Sequence, residues 1–103
     1  MRRKKSLGIN SLIKLCHGIA QSKGWWQNER NDGELIALMH SELSEALEAM
    51  RAHGTKDNIA EELADCCIRI FDYCGARDID LDKILIKKIE YNKTRPHRHG
   101  KKF

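Results

Sequence analysis

Two pairs of acidic residues, each three positions apart, lie near the middle of this 103-residue sequence. The first pair is Glu42 and Glu45, and the second is Glu62 and Asp65. Residues three apart on an α-helix project from one face, so each pair would present two carboxylates together. Carboxylates gathered at a helix interface repel one another and lose hydration, so they either take up protons or bind a cation. Oxygen ligands select hard ions such as Mg²⁺, Mn²⁺ or Ca²⁺.

Four α-helices are expected to carry these acids, since apolar residues recur at three- and four-residue spacing. The expected helices span about residues 11–22, 31–52, 57–75 and 80–92. For the second of them, the expected core stripe is Ile36, Met39, Leu43, Leu47 and Met50. Four short helices bury little apolar surface on their own. We therefore expect an all-α fold, a four-helix bundle that is completed by oligomerisation as a homodimer or homotetramer.

The two acidic pairs are expected to meet. A short turn at residues 53–57 would place the second and third helices antiparallel, with the acids bordering the buried stripe of each helix. A single acidic pair is usually part of a solvated face, but two pairs on consecutive helices favour a cation site. Glu61 also shares a face with Asp65, at a spacing of four. The residues by themselves therefore leave open whether Glu61 or Glu62 belongs to the site.

Charge is distributed unevenly along the chain. The net charge is +4, but residues 1–5 carry +4, residues 87–103 carry +6 and residues 6–86 carry −6. We expect a basic N-terminal arm (1–9), an all-α domain (10–95) and a basic C-terminal tail (96–103). A basic tail beside clustered acids suits a phosphate ligand that is bound through a metal. The alternative is a tail that serves only solubility.

The acidic motifs and their surroundings resemble a known family. Glu-x-x-Glu, sixteen intervening residues and Glu-x-x-Asp resemble the signature of the MazG-like, all-α nucleoside triphosphate pyrophosphohydrolases. The likeness is strongest at residues 41–48 and 61–65 and covers most of the chain. It implies that water attacks the α-phosphorus of a nucleoside triphosphate, which yields a monophosphate and pyrophosphate. The catalytic and metal-binding residues that it implies are Glu42, Glu45, Glu62 and Asp65, and the metal that it implies is Mg²⁺, with Mn²⁺ as a substitute.

The resemblance also implies residues that bind the phosphates. Lys88 and Asn92 look like the C-terminal Lys-x-x-x-Asn element of the family. Arg95 and Lys102 are expected to neutralise the β- and γ-phosphates. The alternative for each of these side chains is a solvated polar group.

Three residues are expected to contact the base. Trp25 and Trp26 precede the first acidic helix, where an indole can stack on a nucleobase, and we expect Trp26 to stack. His17 matches the base-side histidine of the family's dCTP pyrophosphatase branch. Arg69 stands where that branch has an aromatic residue, so the resemblance does not assign dCTP as the substrate.

We therefore expect a Mg²⁺-dependent hydrolase that cleaves nucleoside triphosphates and sanitises the nucleotide pool. An alternative is a small helical module that binds nucleic acid through its basic termini, but the helices themselves carry acids, which disfavours it. A third interpretation is an interaction domain with a degenerate metal site. No run of apolar residues is long enough to span a bilayer, and we expect a cytoplasmic protein without a signal peptide.

Overall fold

The computed structural model describes residues 7–102 and contains four α-helices and one short 3₁₀ segment. In chain order these are α1 (Ile9–Ser22), α2 (Asp32–Arg51), α3 (Lys56–Ala76), α4 (Leu81–Lys93) and the 3₁₀ turn (His97–Gly100). Within this range there is no strand, which confirms the all-α class. Most of the expected N-terminal arm (1–6) and the last residue of the tail (Phe103) lie outside the described residues.

Side chains at the N-termini of α2, α3 and α4 explain where these three helices begin. Asn31 caps α2, since its side chain accepts a hydrogen bond from the backbone N–H of Glu34. Thr55 and Asn58 form a capping box at α3, in which each side chain accepts from the other residue's backbone N–H. Asp80 caps α4. These caps are local in sequence, and the expected helix bounds are confirmed to within two residues.

Helix α3 is the central element of the fold. Helices α2 and α3 form a hairpin whose turn includes His53 in the left-handed region, with φ of 55°. Helix α1 packs against another part of α3, and α4 packs chiefly against α1. At the α1–α3 contact, a Cβ on Gly75 would lie 2.5 Å from the Cβ of His17, so only glycine permits this approach.

The buried face of α2 differs from the expected stripe. Leu35, Glu42 and Ala46 are buried against α3. The expected stripe is exposed at Ile36, Leu43, Leu47 and Met50. That prediction was wrong by about one residue of rotation, because α2 packs chiefly against α3 and a single neighbour covers only one narrow face. Among the described residues, no helix is both long and apolar enough to cross a bilayer.

Candidate functional site

The hairpin of α2 and α3 brings carboxylates from both acidic motifs together. Glu42, Glu62 and Asp65 each offer an oxygen, and these three oxygens lie within 4.8 Å of one another. Glu42 comes from α2 and is only 6% exposed, whereas Glu62 and Asp65 lie one turn apart on α3 and are half-buried. Three of the four predicted metal ligands therefore form one group, which we call the carboxylate cluster.

The fourth predicted ligand lies beside this cluster. Glu45 is exposed and is not among the three grouped acids. Its carboxyl group nevertheless raises the pKa of Glu62 from 4.5 to about 7, with further contributions from burial and from the other neighbouring negative charges. Glu61 is exposed and does not belong to the cluster, so the fold favours Glu62 over Glu61.

The cluster has too few hydrogen-bond donors for its oxygens. Atom Oε2 of Glu62 is buried, and nothing in residues 7–102 donates a hydrogen bond to it. Glu42 receives one donor, since Nε of Arg69 donates to its Oε1 at 2.8 Å. Buried carboxylate oxygens are normally paired with donors or with a cation. A hard divalent ion such as Mg²⁺ fits this set of oxygen ligands.

A cleft of about 360 Å³ adjoins the cluster. Its walls include Glu42 and Asp65 from the cluster, and also the indole of Trp25. The structure thus places an aromatic ring and two of the clustered acids on one cleft. Three basic side chains also line it, and they are Lys23, Arg30 and Arg69. The volume lies within the range of small-molecule sites, which is roughly 300–1,000 Å³.

The other two predicted base contacts are held by Asp72, which sequence reasoning missed. Oδ1 of Asp72 accepts hydrogen bonds from Nδ1 of His17 at 2.8 Å and from Nε1 of Trp26 at 2.9 Å. The two rings pack edge to face, with centroids 5.4 Å apart. Trp26 is half-buried and does not line the cleft, whereas Trp25 is 63% exposed and does. The geometry therefore favours Trp25 as the stacking surface.

A second cavity, of about 670 Å³, lies between α1 and the end of α3. His17, Cys74 and Asp80 are among the residues that line it. None of the clustered acids does. It is the larger of the two cavities, but it lacks the carboxylates and the indole, so we place the candidate site at the smaller cleft.

The predicted phosphate-binding residues lie elsewhere on the chain. Lys88, Asn92, Arg95 and Lys102 line neither cavity. The cations of Lys88 and Arg95 lie 4.9 Å and 5.5 Å from the ring centroid of Tyr91. Because α4 packs chiefly against α1, a single chain does not bring these residues to the carboxylate cluster. Their role in binding phosphate remains a prediction.

Two of the missed residues carry a signal in the sequence. Arg69 and Asp72 follow Asp65 by four and seven positions, so all three share one face of α3. The sequence signal for both residues is therefore their position one and two turns after the acidic motif, on the same face. Lys23 and Arg30 lie within the irregular segment between α1 and α2, and no periodicity points to them.

No family model, curated protein or solved structure matches this chain. The resemblance to the MazG-like hydrolases therefore rests on the acidic motifs of the chain itself and on the residues around them.

Proposed function

We propose that this chain is a MazG-like, Mg²⁺-dependent nucleotide pyrophosphohydrolase that cleaves (d)NTPs to (d)NMPs and pyrophosphate. One observation carries the proposal: the buried, unpartnered oxygen of Glu62 belongs to an acidic cluster beside a cleft that also contains an exposed indole. An acidic cluster suits a metal, and an indole suits a nucleobase. A metal-bound nucleoside polyphosphate needs both. The role that the resemblance implies is sanitation of the cytoplasmic nucleotide pool.

The carboxylate cluster would hold the metal. Glu42, Glu62 and Asp65 are the ligands, and Glu45 lies outside this group. When bound, Mg²⁺ polarises phosphoryl oxygens and lowers the pKa of a coordinated water. The buried position of Glu42 keeps bulk water away from one side of the cluster.

One acid outside the group of ligands is the candidate proton acceptor. Glu45 is exposed and is not one of the three clustered acids. A general base needs a carboxylate that is free to accept a proton from the attacking water. We assign uptake of that proton to Glu45.

The cleft positions the nucleoside. Trp25 offers its exposed indole face for stacking on a base, and the cation of Arg30 lies 5.8 Å from the centroid of that ring. Trp26, held by Asp72, keeps the adjoining backbone in place. Stacking tolerates any base, so the arrangement by itself selects nucleotides as a class.

We also propose that the active assembly is a homodimer or homotetramer. Four large apolar side chains of α2 are exposed, and α4 exposes Ile84, Ile86 and Ile89. Burying such side chains in a second copy would contribute about 25 cal/mol per Å² of apolar area. Light scattering coupled to gel filtration measures the mass directly, and a strictly monomeric species of 11.9 kDa would contradict this proposal.

A product assay tests the function. The protein is incubated with Mg²⁺ and a panel of NTPs and dNTPs, and the products are separated chromatographically. We expect a monophosphate and pyrophosphate from at least one member of the panel. Release of a diphosphate and phosphate would contradict the proposed cleavage site. No release from canonical or modified nucleotides, with the protein folded, would favour a nucleic-acid-binding module.

A further inference from the structure

Two arginines, Arg69 on α3 and Arg77 directly after it, form the same type of ion pair but differ in their remaining donors. Nε of Arg69 donates to Glu42, and Nε of Arg77 donates to Asp32, each at 2.8 Å. Arg77 also uses a terminal nitrogen, since its Nη2 donates to the backbone carbonyl of Arg30 at 2.8 Å. The terminal nitrogens of Arg69 donate to no other group within residues 7–102. A guanidinium has five N–H donors, so Arg69 retains four of them.

These remaining donors belong to a residue on the wall of the cleft. Arg69 lines the cleft together with Glu42 and Asp65, and its side chain is 38% exposed. A ligand in the cleft can therefore reach the guanidinium without displacing another protein group. Because Glu42 is buried and accepts from Nε, it holds the guanidinium at the edge of the carboxylate cluster.

We propose that Arg69 is a substrate-binding residue, whose terminal amino groups donate hydrogen bonds to the phosphate oxygens of a nucleoside polyphosphate in the cleft. This inference rests on the proposed function and deepens it. The planar guanidinium matches two phosphate oxygens at once, and its ion pair with Glu42 removes part of the entropy cost of ordering it.

The proposal assigns the two oxygens of Glu42 to different partners. One oxygen accepts from Nε of Arg69, and the other remains for a cation, because each carboxylate oxygen can serve a separate partner. A cation and a phosphate-binding donor are then joined through one buried side chain. A single chain would thus supply a phosphate contact next to its own acids, with no contribution from α4.

The test uses inorganic tripolyphosphate as the probe, in excess Mg²⁺, with binding measured by calorimetry on the full chain. Arg69→Gln should weaken tripolyphosphate binding by about 10- to 100-fold, because charge-assisted hydrogen bonds are lost. Arg69→Lys keeps the charge but loses the planar donor pair, so its affinity should be intermediate. Arg77→Gln is the matched control and should leave the affinity unchanged, since Arg77 does not line the cleft.

A second measurement separates binding from folding. Titration with Mg²⁺ alone should show an affinity in Arg69→Gln that equals or exceeds that of the wild type, because removing a positive charge leaves the cluster more negative. A merely structural Arg69 would lower the melting temperature while tripolyphosphate affinity stayed constant, which would overturn the proposal. If Arg69→Gln does not fold, wild-type affinity in the folded Arg69→Lys variant would overturn it equally.

The binding measurements can contradict the role of Arg69 without contradicting the metal site, and the reverse. A wild-type protein that binds Mg²⁺ but not tripolyphosphate would overturn the role of Arg69 and leave the metal site in place. A protein that binds neither would overturn both. Weaker tripolyphosphate binding in Arg69→Gln, in a protein that hydrolyses no nucleotide, would support the phosphate contact and contradict the hydrolase.

Discussion

The carboxylates near the two ends of α3 differ in the hydrogen-bond donors that surround them. Near the C-terminal end, Asp72 accepts two hydrogen bonds from ring nitrogens. Near the N-terminal end, Glu62 has a buried oxygen without a donor in the described part of the chain, and the neighbouring charges that raise its pKa are all negative. A carboxylate with two donors stabilises the fold. One that faces only like charges is stabilised by a proton or by a cation.

The difference arises from the helix that packs against each end. Helix α1 and the segment after it supply His17 and Trp26, which are hydrogen-bond donors. Helix α2 supplies Glu42 and Glu45, which are acceptors when ionised. The same helix thus carries a carboxylate with two donors at one end and one without a donor to its buried oxygen at the other, although Asp72 lines the same cleft as Asp65.

Removing a carboxylate from the cluster should have the largest effect. We expect Glu62→Gln and Asp65→Asn each to lower Mg²⁺ affinity and hydrolysis by about 100-fold or more, since even indirect partners of a metal ligand contribute 10- to 100-fold. Calorimetry and the product assay measure the two quantities. Glu61→Gln is the control, because Glu61 is adjacent but exposed and outside the cluster. Equal losses in the Glu61→Gln variant would show that the cluster is wrongly placed.

Adding a methyl group where α1 and α3 approach most closely should have the next largest effect, which is on stability. Gly75→Ala places a methyl group 2.5 Å from the Cβ of His17, which cannot rotate away. We expect a loss of about 3 kcal/mol in the free energy of unfolding, measured by urea denaturation. Gly18→Ala is the matched control on α1, where no atom lies within 4 Å of the added methyl group. That variant should gain up to about 1 kcal/mol from helix propensity. A neutral Gly75→Ala would mean that α1 does not pack as described.

Removing the charge of Asp72, the carboxylate with two donors, should have a smaller effect on stability. Asp72→Asn removes the negative charge that both His17 and Trp26 donate to, and we expect it to lower the free energy of unfolding by about 1–2 kcal/mol. Tryptophan fluorescence during denaturation follows this region directly. Mg²⁺ affinity should fall far less than in Glu62→Gln. If Asp72→Asn lost as much Mg²⁺ affinity as Glu62→Gln, the two carboxylates would not differ in function as described.

The smallest expected effect is a dependence of stability on pH in the absence of metal. The folded protein binds a proton at Glu62 with a pKa of about 7, whereas the ordinary value is 4.5. Stability from this group is therefore full below pH 4.5 and is lost as the pH rises through 7. We expect the melting temperature in EDTA to fall between about pH 5.5 and pH 8, with a smaller fall in Glu62→Gln.

Magnesium should reverse that effect. At about pH 8, addition of Mg²⁺ should raise the melting temperature of the wild type more than that of Glu62→Gln, because the cation neutralises the ionised cluster. A melting temperature that is the same in EDTA and in Mg²⁺ would contradict the metal site. Equal pH profiles for the wild type and Glu62→Gln would contradict the raised pKa of Glu62.

Much of the fold could be predicted from local features. The four helices follow from apolar periodicity and from capping residues such as Asn31, which act over a few positions. The two acidic pairs were found because spacing within one helix determines which side chains share a face. Core positions on α2 were predicted less well, since Leu35 and Ile36 are both apolar neighbours. Either could have faced α3, and periodicity alone does not choose between them.

The sequence by itself therefore determined the helices, the acidic motifs and the choice of oxygen ligands. Only the tertiary structure decided that Trp25 and not Trp26 lines the cleft, and that Arg69 pairs with Glu42. The physical reason is the same in each case. Local spacing sets the face of a helix on which a residue lies, but its partners depend on the rotation at which two helices pack, and that rotation is set by contacts between residues far apart in the chain.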